Sequence, residues 1–162
     1  MALATAAAIR DQVCTLVEAL TPVSHSGVKF KRLRNEGNGD AVEWAETRPD
    51  ACFRRFQARQ VGDDEPPLVS DTTTERVTLN IELRVAYPQT GKFGSDNALD
   101  RDDVMQEDRK SINEKVGLYG RGNFSSGHDC TPLPGTSTME RGNGVDYLVL
   151  QLRYEFLRDV TA

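Results

Sequence analysis

Two histidines and three cysteines are all that the chain offers for imidazole or thiol chemistry. His128 and Cys130 stand two apart in a Gly/Pro-rich segment. Such a pair could ligate a metal or couple a thiol to an imidazole. A structural zinc site needs four well-placed ligands, and no second cluster exists to complete one. Asp100, Asp102, Asp103, Glu107 and Asp108 form the densest group of carboxylates, and hard cations favour such groups. Adjacent helical positions point in different directions, however, and the spacing is not that of an EF-hand. These residues therefore read as a solvated acidic face. A metal-dependent hydrolase or nuclease acting through Asp100, Asp102 and Asp103 is the alternative they leave open.

The run from Gly117 to Gly122, GLYGRG, has glycines but no following Lys-Ser/Thr and no strand–loop–helix setting, so it fails as a phosphate loop. Lys29, Lys31, Arg32 and Arg34, with Arg54, Arg55 and Arg59, make a local basic grouping. It could touch nucleic acid, but it better suits cross-strand or intersubunit pairs with carboxylates such as Glu82. No catalytic, cofactor-binding or metal-binding residue is assigned. The protein is read as a non-enzyme with no cofactor.

A net charge of −5 over 162 residues argues against a dedicated nucleic-acid binder, which carries a basic footprint. The length suits one domain with a real core, spanning 1–162 with long loops at about 35–40, 62–71 and 118–144. No apolar run has the length of a membrane span, and the first residues lack the pattern of a signal peptide. Scattered, odd-numbered cysteines suit free thiols in a reducing compartment.

The elements that must position these side chains are organised around residues 72–87, TTTERVTLNIELRVAY. Val77, Leu79, Ile81, Leu83, Val85 and Tyr87 alternate with Thr78, Asn80, Glu82 and Arg84, which is the pattern of a strand with one apolar face. Fully extended, such a stretch spans roughly 50 Å against about 17–20 Å for an ordinary strand. Its Thr-rich start is therefore expected to reach beyond the core.

Residues 5–20 read as an amphipathic helix through Ile9, Val13, Leu16, Val17 and Leu20, capped by Thr5 and stopped by Pro22. Residues 28–33 and 51–61 read as strands, with Phe30 and Phe56 as companions for the long strand. Asn35–Asp40 and Asp63–Ser70 read as polar connections. Trp44 reads as a half-buried anchor or an interface residue. A second helix is expected over 98–116, capped by Asp96 or Asn97 and ended by Gly117, with Met105, Ile112 and Val116 as a thin apolar stripe supported by Leu99 and Val104. Residues 118–144 read as one long irregular segment. Residues 145–158 form a closing strand with Leu148, Leu150, Leu152, Tyr154 and Phe156 on one face, the natural partner of the long strand. The fold class is α+β: a mostly antiparallel sheet of about four strands, two helices on one face, and long strands extending past the body.

The order of these elements, with AAIRDQVCTLVEAL opening, RVTLNIELRVAYP central and GVDYLVLQLRYEFLRDV closing, resembles the tail terminator proteins of long-tailed bacteriophages, the lambda-type tail-to-head joining group. The likeness lies in layout over nearly the whole chain. It departs in the 118–144 loop and in the 35–40 and 63–70 insertions. The resemblance implies a virion structural protein at the head–tail junction, made in the host cytoplasm. It would form a closed ring, typically hexameric, that caps the tail tube, stops its polymerisation and docks the head or neck. The implied partners are further copies of the chain, the tail tube protein and a head-completion or neck protein. DNA would pass only through the lumen, where an acidic subunit repels phosphates, and no membrane is involved. Another neck or tail-tube subunit is the nearest alternative, and a host adaptor binding one partner through 118–144 is a further one.

The residues expected at subunit or partner interfaces are Thr72, Thr73 and Thr74 at the start of the long strand, Phe93 in the following loop, and Tyr119, Arg121 and Phe124 in the long segment, where aromatic and Arg anchors serve an interface.

Overall fold

The computed structural model describes residues 5–33, 41–64, 74–94, 97–124 and 130–159. Helix α1 (Ala6–Glu18) is capped by Thr5, whose hydroxyl accepts from the Ala8 amide at 3.1 Å. It is followed by β1 (Lys31–Arg32), α2 (Ala41–Thr47), β2 (Arg55–Asp64), β3 (Thr74–Pro88), α3 (Ala98–Val116), β4 (Thr131–Arg141) and β5 (Val145–Asp159). Short 3₁₀ turns cover Pro49–Ala51 and Leu118–Asn123. Of the two expected caps for α3, Asn97 serves: its side chain accepts from the Leu99 amide at 3.0 Å.

The strands form one sheet in the order β1-β2-β3-β5-β4, antiparallel except for the β1–β2 pair. The long strand pairs with the closing strand in the register that sets apolar against apolar: Val77 faces Phe156, Leu79 Tyr154, Ile81 Leu152, Leu83 Leu150, and Val85 Leu148. A slip by one residue would turn every one of these side chains to the wrong face. Phe56 and Ala58 of β2 extend that face beside Val85 and Leu83. Ile9, Val13 and Val17 of α1 and Met105, Ile112 and Val116 of α3 cover it. Each large side chain removed from water there contributes about 1.5–3 kcal/mol.

Several details differ from the sequence reading. The sheet has five strands, because β4 lies inside the segment read as irregular. Its Pro134 and Gly135 fall in a register shift between Leu133 and Thr136, and its exposed edge carries no apolar alternation. The turn into β5 is tight, with Gly144 at φ 79° and the Gly142 amide bonded to the Val145 carbonyl at 2.8 Å. The strand expected over 28–33 is only Lys31–Arg32, and β2 starts at Arg55 and runs to Asp64. Asp63 and Asp64 therefore belong to a strand, whereas residues 65–70 and 34–40 lie outside the described residues.

A third helix, α2, covers the opposite sheet face at one end. There Ala86, Val145, Tyr147 and Val149 are buried with Ala45 and Cys52, and Val42 and Trp44 pack against them. Trp44 is thus a half-buried anchor within the subunit. Leu99 is 72 % exposed and supports no stripe, whereas Val104 packs against the core.

Candidate functional site

The site is built around a break in β-geometry just before β2. Arg54 has φ 59°, a left-handed conformation uncommon for a residue with a side chain. Its amide bonds to the Ala86 carbonyl at 2.9 Å and its carbonyl accepts from the Lys31 amide at 3.1 Å. Held on both sides, the kink turns the guanidinium into the protein, where it is 0 % exposed. Nε donates to Asp108 Oδ2 at 2.8 Å and Nη2 to Oδ1 at 2.9 Å. Nη1 donates to the carbonyls of His25 and Val28 at 2.9 and 3.0 Å, and Nη2 also to that of Ser24 at 2.7 Å. The Tyr87 hydroxyl donates to Asp108 Oδ2 at 2.7 Å. One cation thereby ties α3, β3 and the 24–28 turn to the start of β2.

Burial pushes the Asp108 carboxyl above its ordinary range, against the pull of the Arg54 guanidinium and the Tyr87 hydroxyl. Burial also pushes the Tyr87 hydroxyl well up, and the Asp108 charge adds to it. All three groups are closed to solvent, so they position their surroundings and do not present a reacting atom.

In front of this triad lies a cleft of about 220 Å³ between the 25 and 53 turns, the end of β3 and the first turns of α3. Its wall is aromatic. Phe53 and Phe93 stack with centroids 5.2 Å apart and planes at 12°. His25 meets both edge-on at 5.7 and 6.2 Å, and Tyr87 meets Phe53 edge-on at 5.9 Å. Gly91, at φ 96°, makes the turn that brings Phe93 into place. Lys92, Asp100 and Arg101 are at the rim. Lys92 lies over the Phe93 ring at 5.2 Å, and Arg101 pairs with the buried Asp146 at 2.8 Å. The cleft suits an apolar or aromatic side chain entering from outside, with charges of both signs at its mouth.

No protein-family model and no curated protein matches this chain.

The structure separates the residues singled out from sequence. Phe93 is half-buried, stacks on Phe53 and lines the cleft. Tyr119 is 82 % exposed, beside a hollow on α3 lined by Glu107, Lys110 and Glu114. Phe124, expected as a loop anchor, is only 8 % exposed and packs on Tyr154 at 5.2 Å, so it is a core residue. Arg121 lies in the 3₁₀ turn after α3, and only its backbone is described. Thr74 opens β3 opposite Asp159. Thr72, Thr73 and His128 lie outside the described residues. Cys130 is half-buried and packs against the core.

The acidic group on α3 is not one solvated face. Asp108 is buried with Arg54, Asp102 pairs with Arg141 at 2.8 Å, and Glu107 accepts from the Ser24 hydroxyl. Among the described residues no three His, Cys, Asp or Glu side chains gather as a metal site. Sequence reasoning missed Arg54, Tyr87 and His25 as a group. A signal for Asp108 was present, since it falls on the stripe of Met105, Ile112 and Val116, where an acid must find an internal partner. Of the basic grouping, Arg59 pairs across strands with Glu82 at 3.6 Å, as its register with that residue requires.

Proposed function

We propose that this protein is a ring-forming structural subunit of a long-tailed bacteriophage, of the tail terminator type, which caps the tail tube and offers a docking face to the head or neck. The observation that carries this reading is the β3–β5 ribbon. Both strands have 15 residues, and their pairing continues to Thr74 and Asp159. Pairing to β2 ends at Thr78 and pairing to β4 at Glu155. The last four rungs, from Val77–Phe156 to Thr74–Asp159, therefore have only each other among the described strands. Among the described residues both backbone edges of this ribbon are unpaired, and such an edge is a template for pairing with another chain. The element order, with its likeness to the terminator group, supports the same reading.

Electron microscopy of the purified protein with and without tail tubes is the test. Finite rings that bind tube ends are expected. Polymerisation into long tubes would favour a tube subunit. Stable monomers that neither form rings nor attach to tube ends would overturn the proposal.

A further inference from the structure

Tyr119 and the aromatic cleft lie at opposite ends of the same helix. The cleft is lined by Asp100, Arg101 and Val104 in the first turns of α3, and Tyr119 stands three residues past its last, Val116. A ring so exposed leaves a large apolar surface in water, and Leu118 beside it is 44 % exposed. The cleft in turn presents the half-buried Phe93, with the buried Phe53 stacked on it, and the exposed His25, against which a further ring packs well edge-on or offset.

Charge fits as well. Lys92 and Asp100 at the cleft mouth are matched by Lys110 and Glu114 around the knob. None of these four has an ion pair among the described residues, and each side offers charges of both signs to the other.

We infer that Tyr119 of one copy inserts into the cleft of a second copy and packs against Phe93 and His25. The inference rests on the ring reading above and supplies one of its contacts. Because knob and cleft are different surfaces, the contact is head-to-tail. Each copy gives one tyrosine and receives one, the kind of contact that closes into a ring when the rotation between neighbours allows it.

Sedimentation velocity over a range of concentrations, on the wild type, Tyr119→Ala and Tyr119→Phe, tests this. Benzoylphenylalanine placed at 119 in a mixture of isotope-labelled and unlabelled protein adds a map of the contact. Truncating the anchor is expected to weaken assembly about tenfold or more, while Tyr119→Phe assembles nearly as the wild type does. Cross-links are expected between labelled and unlabelled chains, at residues 92–94, 53 or 25. The monomer's melting temperature should not change, since the side chain is exposed. If the wild type forms rings and Tyr119→Ala forms them equally well, or if the cross-links map elsewhere, the inference falls and the ring reading stands. If the wild type stays monomeric with and without tail tubes, the ring reading falls and takes the inference with it.

Discussion

Arg54 and Asp108 form a two-pronged ion pair, 2.8 and 2.9 Å long, with both side chains wholly inside the protein. Asp108→Ala leaves a buried guanidinium with no counter-charge, and a loss of about 3–5 kcal/mol is expected. Urea denaturation of the variant measures it. Arg54→Met with Asp108→Leu should recover only part, because the carbonyls of Ser24, His25 and Val28 lose their shared donor. Full recovery would mean that those bonds contribute nothing.

Asp146 gives the fold an acid-sensitive point. Burial raises its pKa, but hydrogen bonds from Arg101, Gln89 and Arg141 outweigh this and hold it below the ordinary carboxylate value. The folded state thus favours the ionised form. Its stabilising effect is complete above the unfolded value of about 3.9 and is lost as pH falls through the lowered folded value. Asp146→Asn should be less stable than wild type near neutrality. It should also lose less stability between about pH 5 and pH 2, as urea midpoints across that range would show.

Cys52 is expected to be chemically silent. Burial, with a smaller push from Asp50, raises its thiol to about 12, and its sulfur donates to the Pro49 carbonyl at 3.2 Å. At pH 8 the thiolate fraction is on the order of 10⁻⁴. Iodoacetamide labelling followed by mass spectrometry should leave Cys52 unmodified in the native protein and modify it after unfolding. Rapid native labelling would show that α2 opens readily.

Core and surface positions on neighbouring strands should differ sharply. Leu83 is fully buried opposite Leu150, and Leu83→Ala is expected to cost about 2–5 kcal/mol. Arg59, with a 60 % exposed side chain, meets Glu82 at 3.6 Å, and Arg59→Ala is expected to cost no more than about 1 kcal/mol. Thermal or urea unfolding distinguishes the two.

Much of the fold was legible where pattern and burial are local. The alternation of 77–87 and of 148–156 and the caps at Thr5 and Asn97 set the main strands and helices, because side-chain period and capping need only near neighbours. The apolar faces of the two long strands also imply their pairing, since each needs the other's cover. What stayed hidden was whatever depends on distant partners. β4 carries Pro, Gly and Thr where a strand pattern was sought, and it becomes a strand because β5 supplies its hydrogen bonds. α2 is seven residues long, too short to show a period, and its place is decided by Tyr147 and Val149 on the far face of the sheet. The candidate site is of the same kind. Nothing in the spacing of His25, Arg54, Tyr87, Phe93 and Asp108 brings them together. Their meeting depends on a left-handed kink at Arg54 and on how α3 lies across the sheet, and packing of the whole chain decides both. The sequence by itself determined the long paired strands, through a period that a slip of one residue would ruin. Only the tertiary structure decided that Phe124 is core, that Tyr119 is bare, and that an aromatic cleft opens at the other end of α3.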